Sequence, residues 1–403
     1  MTKRYPAGPQ SLLRAINGRA VLEAISLLGP VTTADLAAHT GLSRPTTAGA
    51  VANLLERGVI VEAGPVLGRK GPAASLYRVN ASAAWAIGLD VGHRRIRAAL
   101  CDLSGEIHAR AERPVDARGG LAALVAAVVA TCEDAAAQVG VELADVTRIA
   151  AGLPAVVGVD GRSLSYADGL PEAGVGLGHA LAEALPATLV LENDVNLATL
   201  AERTRGRGAD VQDFVLINLG VGLGLGMFID GRLRRGSSGA AGEAGFLPGN
   251  RVPGTAANQG PDLLQHHLGA RHITAEAARL GLPGDGSPQS VFALAREGDP
   301  NAALIVRDTA GSIAYVISCV VPLVDPALVV LGGAIGSNGD LLLDEIEHAL
   351  ARYSPFRPPI TVSELGSSAV LLGATASAAQ LAREAVFSAA TDTPHDALTT
   401  APA

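Results

Sequence analysis

Three glycine-rich turns, each directly following an apolar run, restrict the fold of this chain more than any other feature. They read "DVGHRR" from Asp90, "NLGVGLGLG" from Asn218 and "LGGAIG" from Leu331. Glycine in a turn after a strand lets backbone N–H groups approach a phosphate closely, because no Cβ stands in the way. One such turn is weak evidence for a phosphate-binding fold, whereas three in this order and at this separation are strong evidence for one. The residues that carry the signal are Asp90, Gly92, Gly220, Gly222, Gly332 and Gly333.

Strands alternating with helices surround the three turns. The segment "AWAIGLDVGHRRIRAALCDLSGEI" predicts two strands joined by a tight turn, and a long helix rich in alanine and valine follows. Further on, "TLVLENDVNLATLAER" predicts a strand that leads into a helix, and residues 260–280 and 301–321 contain helical segments. This alternation places residues 83–385 in the α/β class. Residues 386–403 have no core-forming pattern, so we expect a flexible tail.

The first 80 residues follow a different pattern. Apolar residues at helical spacing run from Ser11 to the "GP" at residues 29–30, and "TTADLAAHTG" predicts a second short helix. A third helix begins at Ser43 with Pro45 in its first turn, where a missing N–H is tolerated. The runs "VIVEA" and "SLYRV" then predict a β-hairpin. Three helices and a hairpin are typical of a winged helix-turn-helix, whose third helix enters the DNA major groove. The alternative is a helical hairpin within a larger fold.

The third helix presents hydroxyls and an arginine in its first turn instead of carboxylates. Its free N–H groups and positive dipole end favour a phosphate, while threonine methyl groups and Arg44 suit base edges. The predicted inner face of the helix consists of Ala48, Val51, Ala52 and Leu55. The predicted DNA contacts lie on the other face and at the hairpin tip: Ser43, Arg44, Thr46, Thr47, Arg69 and Lys70.

Charge is distributed unevenly along the chain. Residues 1–80 contain nine lysines and arginines against four acidic residues, although the whole chain has a formal net charge of −8. A basic N-terminal module on an acidic body is expected of a nucleic-acid binder with an attached sensor. An excess of this size also arises by chance, so charge alone does not decide the function.

Cysteine usage and hydropathy restrict the environment of the protein. Cys101, Cys132 and Cys319 have no close spacing, which excludes a disulfide framework and a zinc knuckle and favours buried free thiols. The sequence has no charged-then-apolar leader and no apolar run of about 18 residues without breakers. We therefore expect a soluble, cytoplasmic protein that does not bind membranes.

The three glycine turns resemble the phosphate-1, phosphate-2 and adenosine elements of the actin/hexokinase-like ATPase fold, in which two α/β lobes enclose a cleft. Two longer segments narrow this resemblance to the ROK family of bacterial repressors, open reading frames and kinases. They are "LENDVNLATLAE", Leu191–Glu202, and "DGRLRRGSSGAAGEAGFLP", Asp230–Pro248. With the winged helix-turn-helix in residues 1–80, the resemblance implies the transcriptional-regulator branch. It also implies one lobe of about 83–190 plus the C-terminal helix and a second of about 191–367.

The resemblance implies a partly preserved sugar pocket. Asn193, Asp194 and Glu243 match the sugar-binding positions, and in the family's kinases the residue at Asp194 is the general base that takes the proton of the sugar hydroxyl. The rest of the pocket has changed, with Ala155 where the family favours glycine and Gly169 where it favours asparagine. An alternative is that the acidic segment around Asp194 merely caps the following helix.

Departures from the family pattern affect phosphate and metal binding. The first loop has His93 and Arg94 where the kinases have Gly-Thr or Gly-Asn, and the second has Val221 in place of a threonine. Phe246 replaces a histidine that helps to hold zinc and sugar, and the zinc loop is replaced by residues 250–264, "NRVPGTAANQGPDLL", without cysteine or histidine. A structural zinc needs about four such ligands. We therefore expect no metal, no cofactor and no catalytic residues.

Three functions remain open from the sequence. The first is a DNA-binding regulator, a repressor, whose body senses a sugar or sugar-derived effector in a degenerate kinase cleft. The second is an active sugar kinase with a winged helix attached, which the altered phosphate loops disfavour. The third is a DNA-binding regulator without a small ligand, whose body serves for oligomerisation or protein binding. The expected partners are double-stranded DNA with a pseudo-palindromic operator, a carbohydrate-like effector, and other copies of the chain in a homodimer or homotetramer.

Overall fold

The computed structural model describes residues 9–65, 74–116, 119–167, 176–249 and 263–391. Within these ranges the chain forms an N-terminal helical module and a body of two α/β lobes. The predicted combination of an N-terminal winged helix-turn-helix with a two-lobed α/β body is confirmed, and the helical hairpin of a larger fold is excluded.

The N-terminal module contains three helices and a small antiparallel sheet. Its elements are α1 (Pro9–Leu28), β1 (Val31–Thr32), α2 (Thr33–Thr40), α3 (Arg44–Glu56), β2 (Ile60–Pro65) and β3 (Ser75–Val79). The sheet order is β1-β3-β2. Thr32 caps α2 by accepting a hydrogen bond from the N–H of Asp35, and Gly41 ends α2 with a φ of 71°, in the left-handed region that glycine favours. These two signals fix the short turn between α2 and α3.

The first lobe is built on a five-stranded mixed sheet. Its elements are β4 (Trp85–Val91), β5 (Arg95–Cys101), β6 (Ile107–Pro114), α4 (Gly120–Ala137), β7 (Val146–Leu153), β8 (Ala155–Val157), β9 (Leu164–Ala167), α5 (Leu177–Ala184) and β10 (Thr188–Asn193). The order is β10-β7-β4-β5-β6, with β10, β7 and β4 parallel. Strands β8 and β9 form a separate pair. Helix α4 covers one face of the sheet because Leu124, Val128 and Cys132 share its buried side.

The second lobe repeats this design. Its elements are α6 (Asp194–Arg205), β11 (Phe214–Leu219), β12 (Leu223–Ile229), β13 (Arg232–Leu233), α7 (Ala270–Arg279), α8 (Pro288–Arg296), α9 (Pro300–Val324), β14 (Leu328–Gly332), α10 (Gly333–Gly336), α11 (Gly339–Tyr353) and β15 (Ile360–Val362). The sheet order is β13-β12-β11-β14-β15. The chain ends in α12 (Ala369–Thr391). Asn218 of β11 is in register with Gly332 of β14, so the second and third glycine turns lie side by side.

Helices α12 and α6 cross between the two sheets with almost no space between them. A Cβ on Gly373 of α12 would lie 1.8 Å from the carbonyl oxygen of Leu197 in α6, and one on Gly88 of β4 would lie 2.4 Å from the backbone nitrogen of Thr375. On the other side of α6, a Cβ on Gly226 of β12 would lie 1.8 Å from the Oγ1 of Thr199 in α6. Glycine at these positions is therefore required by close packing, and both sheets are held against the same helix pair.

Two of the predicted boundaries differ from the ends of the elements. Strand β10 continues to Asn193, two residues beyond the lobe boundary expected at about residue 191. Helix α12 continues to Thr391, beyond the tail boundary expected at residue 386. The reason is tertiary, because Phe387 and Ala390 are buried in the core of the N-terminal module. Residues 392–403 lie outside the described part of the chain.

Helices α4 and α9 are long and apolar enough to cross a membrane, each with a mean hydropathy of 1.6. The expectation was the absence of an apolar run of about 18 residues without breakers, and both helices contain charged residues, Glu133 and Asp134 in α4 and Arg307 and Asp308 in α9. Both helices pack against the sheets, however, with α9 burying Ile305, Ile313 and Ile317 in the core of the second lobe. Helices in the core of a globular lobe have this same composition.

Candidate functional site

The first turn of α3 is capped by Ser43. Its Oγ accepts a hydrogen bond from the N–H of Thr46 at 3.3 Å and lies 2.8 Å from the Oγ1 of that residue. Ser43 and Arg44 are exposed, and Thr46 is half-buried. The structure thus leaves the side chains of Ser43, Arg44 and Thr46 accessible at the start of the helix, as a DNA-facing first turn requires.

Thr47 does not belong to this surface, and its prediction as a DNA contact is wrong. It is fully buried, and its Oγ1 donates to the carbonyl oxygen of Ser43 at 3.1 Å. The inner face of α3 consists of Thr47, Val51 and Leu54, at a spacing of four and then three residues. The predicted inner face is displaced around the helix from the observed one, because the prediction preferred alanines to a threonine as buried residues. A threonine whose hydroxyl bonds to its own helix backbone is nevertheless tolerated inside.

Ala48, Gly49 and Ala52 are exposed on the outer face of α3, so the prediction that placed Ala48 and Ala52 on the inner face is wrong. A Cβ on Gly49 would have nothing within 4 Å. Small side chains on an exposed helix face are the signal that could have indicated a surface reserved for close approach. Arg69 and Lys70, predicted at the tip of the hairpin, lie outside the described residues.

The body contains a cavity of about 250 Å³ at the junction of the two lobes. It brings the first and second glycine turns together, since His93 and Gly220–Gly222 both line it. All three predicted effector-binding residues contribute to its wall: Asn193, Asp194 and Glu243. Gln265 also lines the cavity, and no sequence pattern pointed to it. Gly169, expected in this pocket, lies outside the described residues.

Asn193 and Asp194 stand where β10 gives way to α6. Asn193 caps the helix through Oδ1, which accepts from the N–H of Asn196 at 3.0 Å, and its Nδ2 donates to the carbonyl oxygen of Ala155 at 3.1 Å. Neighbouring Glu192 accepts from the amide of Asn196 and from the guanidinium of Arg235. The capping alternative is therefore right for Asn193. Asp194 is the member of the segment that faces the cavity without serving as the cap.

Electrostatics set the protonation of this cavity. Burial raises the pKa of Asp194 to about 7, and the negative charges of Asp90 and Glu243 add to this increase. Burial also raises the pKa of Glu243. Near neutral pH, Asp194 therefore exchanges between a carboxylate that accepts a hydrogen bond and a carboxylic acid that donates one. Both forms suit a ligand hydroxyl, which is donor and acceptor at once.

Asp90, at the first glycine turn, already has a cationic partner. The guanidinium of Arg97 donates twice to its Oδ2, once from Nε at 3.0 Å. Asp90 is only 7% exposed, and desolvation raises its pKa although Arg97 opposes the increase. Arg97 was missed, although Asp90 and Arg97 face each other in the register of β4 and β5. The alternation of arginines along β5 could have indicated it.

An aromatic pair closes one side of the cavity. Tyr166 and Phe246 meet edge to face with 5.3 Å between ring centroids, and Phe246 is 43% exposed. Apolar ring faces complement the C–H faces of a carbohydrate, while the acids and amides match its hydroxyls. Phe246 offers no metal-coordinating atom, and residues 250–262, the larger part of the replaced zinc loop, lie outside the described residues.

The third glycine turn borders a second cavity, of about 1160 Å³. This cavity contains Arg94 from the first turn, Gly220 and Val221 from the second, and Ala334 directly after the third. Gly333 has a φ of 77°, and a Cβ there would lie 2.2 Å from the carbonyl oxygen of Leu219. The three turns predicted from sequence therefore converge on one region of the cleft.

Comparison with known protein families finds a match for each of the two parts of the chain. The sequence model of the ROK family matches residues 86–381, and that of the IclR helix-turn-helix domain matches residues 15–64. A xylose repressor of Caldicellulosiruptor bescii is 22% identical over 385 residues, covering 92% of this chain and 96% of that protein. A glucokinase of Streptomyces coelicolor is 30% identical over 319 residues, covering 74% of this chain and 97% of the enzyme.

A solved structure has the same fold over nearly the whole length. It is a ROK family transcriptional regulator, a homologue of the Escherichia coli MLC protein, with a TM-score of 0.78 and 22% identity. The match covers 94% of this chain and 99% of that structure. Because the ROK model spans well over half of the sequence, this chain belongs to the ROK family.

Proposed function

We propose that this protein is a transcriptional repressor that binds a pseudo-palindromic operator and senses a sugar or sugar-derived effector without phosphorylating it. A winged helix-turn-helix and a sugar-kinase-like cleft occur in one chain, as in the regulator of similar fold. The similarity to a xylose repressor and to a glucokinase supports a carbohydrate as the effector. Residues 1–80 would bind DNA in the cytoplasm, and the two lobes of the body would bind the effector.

The observation that carries this proposal is the course of α12. Near its start, Gly373 is in backbone contact with Leu197 of α6, the helix whose first residue is Asp194. Near its end, Phe387 and Ala390 are part of the core of the N-terminal module. The guanidinium of Arg57, at the end of α3, donates to the carbonyl oxygen of Ala389 at 3.0 Å. A ligand that favours one arrangement of the lobes can thereby change the position of the DNA-binding module.

A kinase of this fold would require a metal-bound nucleotide, and the residues present do not fit that group. Asp90, the carboxylate at the first phosphate turn, is engaged by Arg97. Val221 offers no hydroxyl in the second turn, and Arg94 adds bulk after the first. Positioning and charge stabilisation are most of what phosphoryl transfer needs from a protein. The geometry therefore supports binding without phosphoryl transfer.

The retained Asp194 favours an active kinase, because its position in the cleft suits a general base, and the 30% identity to a glucokinase points the same way. The two functions are separated by incubating the full-length protein with Mg²⁺, ATP and a panel of sugars while ADP release is measured. In parallel, operator affinity is measured with and without each sugar. We expect one sugar class to change operator affinity and none to raise ADP release above a no-enzyme control. Operator binding unaffected by every sugar would favour the ligand-independent regulator.

The outer face of α3 gives a direct test of DNA binding. Ala48→Glu places a charge and added volume on the exposed face, and we expect at least a tenfold loss of operator affinity with little change in melting temperature. Thr47→Val is the matched variant on the buried face, and it should leave operator preference unchanged. Affinity is measured by fluorescence anisotropy at fixed salt, because phosphate contacts make it salt-dependent. Equal effects of both variants on DNA binding would contradict this surface.

Symmetry gives a second test. A single winged helix covers one half-site, so two copies related by a twofold axis would bind half-sites separated by whole turns of the DNA helix. We expect light scattering at micromolar concentration to give a dimeric or tetrameric mass. Footprinting should show two protected half-sites. A monomeric mass both with and without DNA would refute this assembly.

A further inference from the structure

The second cavity adjoins the effector cleft and is large enough for an additional chemical group. Gly220 and Val221 of the second glycine turn line both cavities, so the two cavities adjoin at this turn. The effector cleft, at about 250 Å³, lies below the roughly 300 Å³ at which ligand pockets usually begin. The volume of this cleft suits one sugar ring, and a substituent directed towards the second glycine turn would reach the neighbouring cavity of about 1160 Å³.

The two cavities have opposite charge. The effector cleft contains the carboxyl groups of Asp194 and Glu243, whereas the adjoining cavity contains the guanidinium groups of Arg94 and Arg271. Both arginines are exposed, and within the described part of the chain neither forms an ion pair. One acid, Asp285, also lines this cavity.

That acid is already satisfied by its own loop. Hydrogen bonds from the side chain and backbone of Ser287 lower the pKa of Asp285, and the backbone bond to its Oδ1 measures 2.9 Å. Asp285 is therefore a carboxylate that offsets one of the two arginine charges. The cavity retains an excess of positive charge, which is the condition for binding an anion.

Backbone dipoles add to this charge. Helices α7 and α8 both begin at the cavity, with Ala270 and Arg271 in the first turn of α7 and Pro288 in the first turn of α8. The N–H of Ala270 donates to the carbonyl oxygen of Gly220 at 3.0 Å, which holds the start of α7 against the second glycine turn. Helix starts carry partial positive charge and unpaired N–H groups, and both favour an anion.

We propose that the effector is an anionic sugar of the sugar phosphate ester class, with its hydroxyls in the acidic cleft and its phosphate in the basic cavity beside Arg94 and Arg271. This rests on the proposed function, since it specifies the chemistry of the same effector. The acids on one side and the arginines on the other would orient the ligand in a single direction. A neutral sugar would occupy only the acidic half and gain none of the charge-assisted hydrogen bonds.

The test compares each sugar with its own phosphate ester on the full-length protein by isothermal titration calorimetry at constant ionic strength. The pairs are glucose and glucose 6-phosphate, xylose and xylose 5-phosphate, and N-acetylglucosamine and its 6-phosphate. Inorganic phosphate and ADP without Mg²⁺ are measured alongside. We expect one ester to bind at least about tenfold more tightly than its parent sugar, as hydrogen bonds to a charged group predict. Inorganic phosphate and ADP should not reach that affinity.

Three variants assign the effect to the cavity. Arg94→Gln and Arg271→Gln should each weaken binding of the ester about fivefold or more and leave the affinity of the parent sugar unchanged. Arg352→Gln, an exposed arginine on α11, is the matched control and should change neither affinity. The gain of the ester over the parent should also decrease as salt is raised, because both arginines are exposed.

The outcomes separate this inference from the proposed function. If a parent sugar binds as tightly as its ester and alters operator affinity, the anionic effector is wrong and the sugar sensor stands. If ADP or inorganic phosphate binds through both arginines while no ester gains affinity, the single ligand spanning both cavities is wrong. If no sugar or ester binds and operator affinity responds to none, the sugar-sensing function itself fails and this inference fails with it.

Discussion

Replacing Asp194 with asparagine should abolish the response of operator binding to the effector while leaving DNA affinity without effector nearly unchanged. Asp194 faces the cavity at the start of α6, and asparagine keeps its shape but removes the negative charge that strengthens a hydrogen bond from a ligand hydroxyl. Asp194→Ala should do the same by removing the polar group. The measurement is operator affinity by anisotropy across a titration of the effector. A full response that survives both substitutions would mean that another cavity is the sensor.

The same variant has a predicted effect of pH on stability. The pKa of Asp194 is about 7 in the folded protein against 3.8 for an ordinary aspartate, so the folded state holds this proton more tightly than the unfolded chain does. This contribution to stability is complete below about pH 4 and is lost as pH rises through 7. Asparagine cannot ionise. The free energy of unfolding of Asp194→Asn, relative to that of the parent protein, should therefore be higher at pH 8 than at pH 5 by about 2 kcal/mol.

The control for both measurements is Asp344→Asn, an exposed carboxylate on α11. It should leave the effector response unchanged. Its free energy of unfolding should differ from that of the parent protein by the same amount at both pH values. Denaturant unfolding at pH 5 and pH 8 measures the free energy of unfolding. A stability difference between Asp194→Asn and the parent that does not change with pH would contradict the raised pKa.

Replacing Phe387 with alanine should abolish operator binding while preserving effector binding by the body. Phe387 is 6% exposed in the core of the N-terminal module, where it packs with Val21, Leu22 and Ile25. Removing a buried phenylalanine costs about 3 to 5 kcal/mol, which is a large part of what a small module has. The body has separate cores and should keep its fold. Operator affinity, effector affinity and thermal unfolding are measured on the same preparation.

Phe356→Ala is the matched control, since this phenylalanine is 57% exposed. It should leave all three measurements close to those of the parent protein. If Phe387→Ala retained full operator affinity and full response to the effector, α12 would not be the connection between the body and the DNA-binding module. A loss of effector binding together with DNA binding would show that the module and the body unfold as one unit.

Local signals in the sequence determined the turns, the family and the cleft residues of this protein. Gly41 and Ser43 marked the turn between α2 and α3, since each acts on its neighbours alone through the left-handed region or a helix cap. The three glycine turns were equally readable, because a strand followed by glycine is a contiguous pattern. The family followed from two long segments, and the cleft residues Asn193, Asp194 and Glu243 followed from the family.

Only the tertiary structure decided which side chains face each other. Thr47 is inside because α3 packs through it, and its hydroxyl is satisfied by a backbone carbonyl, which no periodicity of apolar residues reveals. Arg97 neutralises Asp90 through a strand register, and α12 extends past the predicted tail because the N-terminal module covers Phe387. Arg94 and Arg271 share a cavity although they are far apart in the chain. Burial, pairing and charge at a site depend on contacts between distant segments, and these form only when the chain folds.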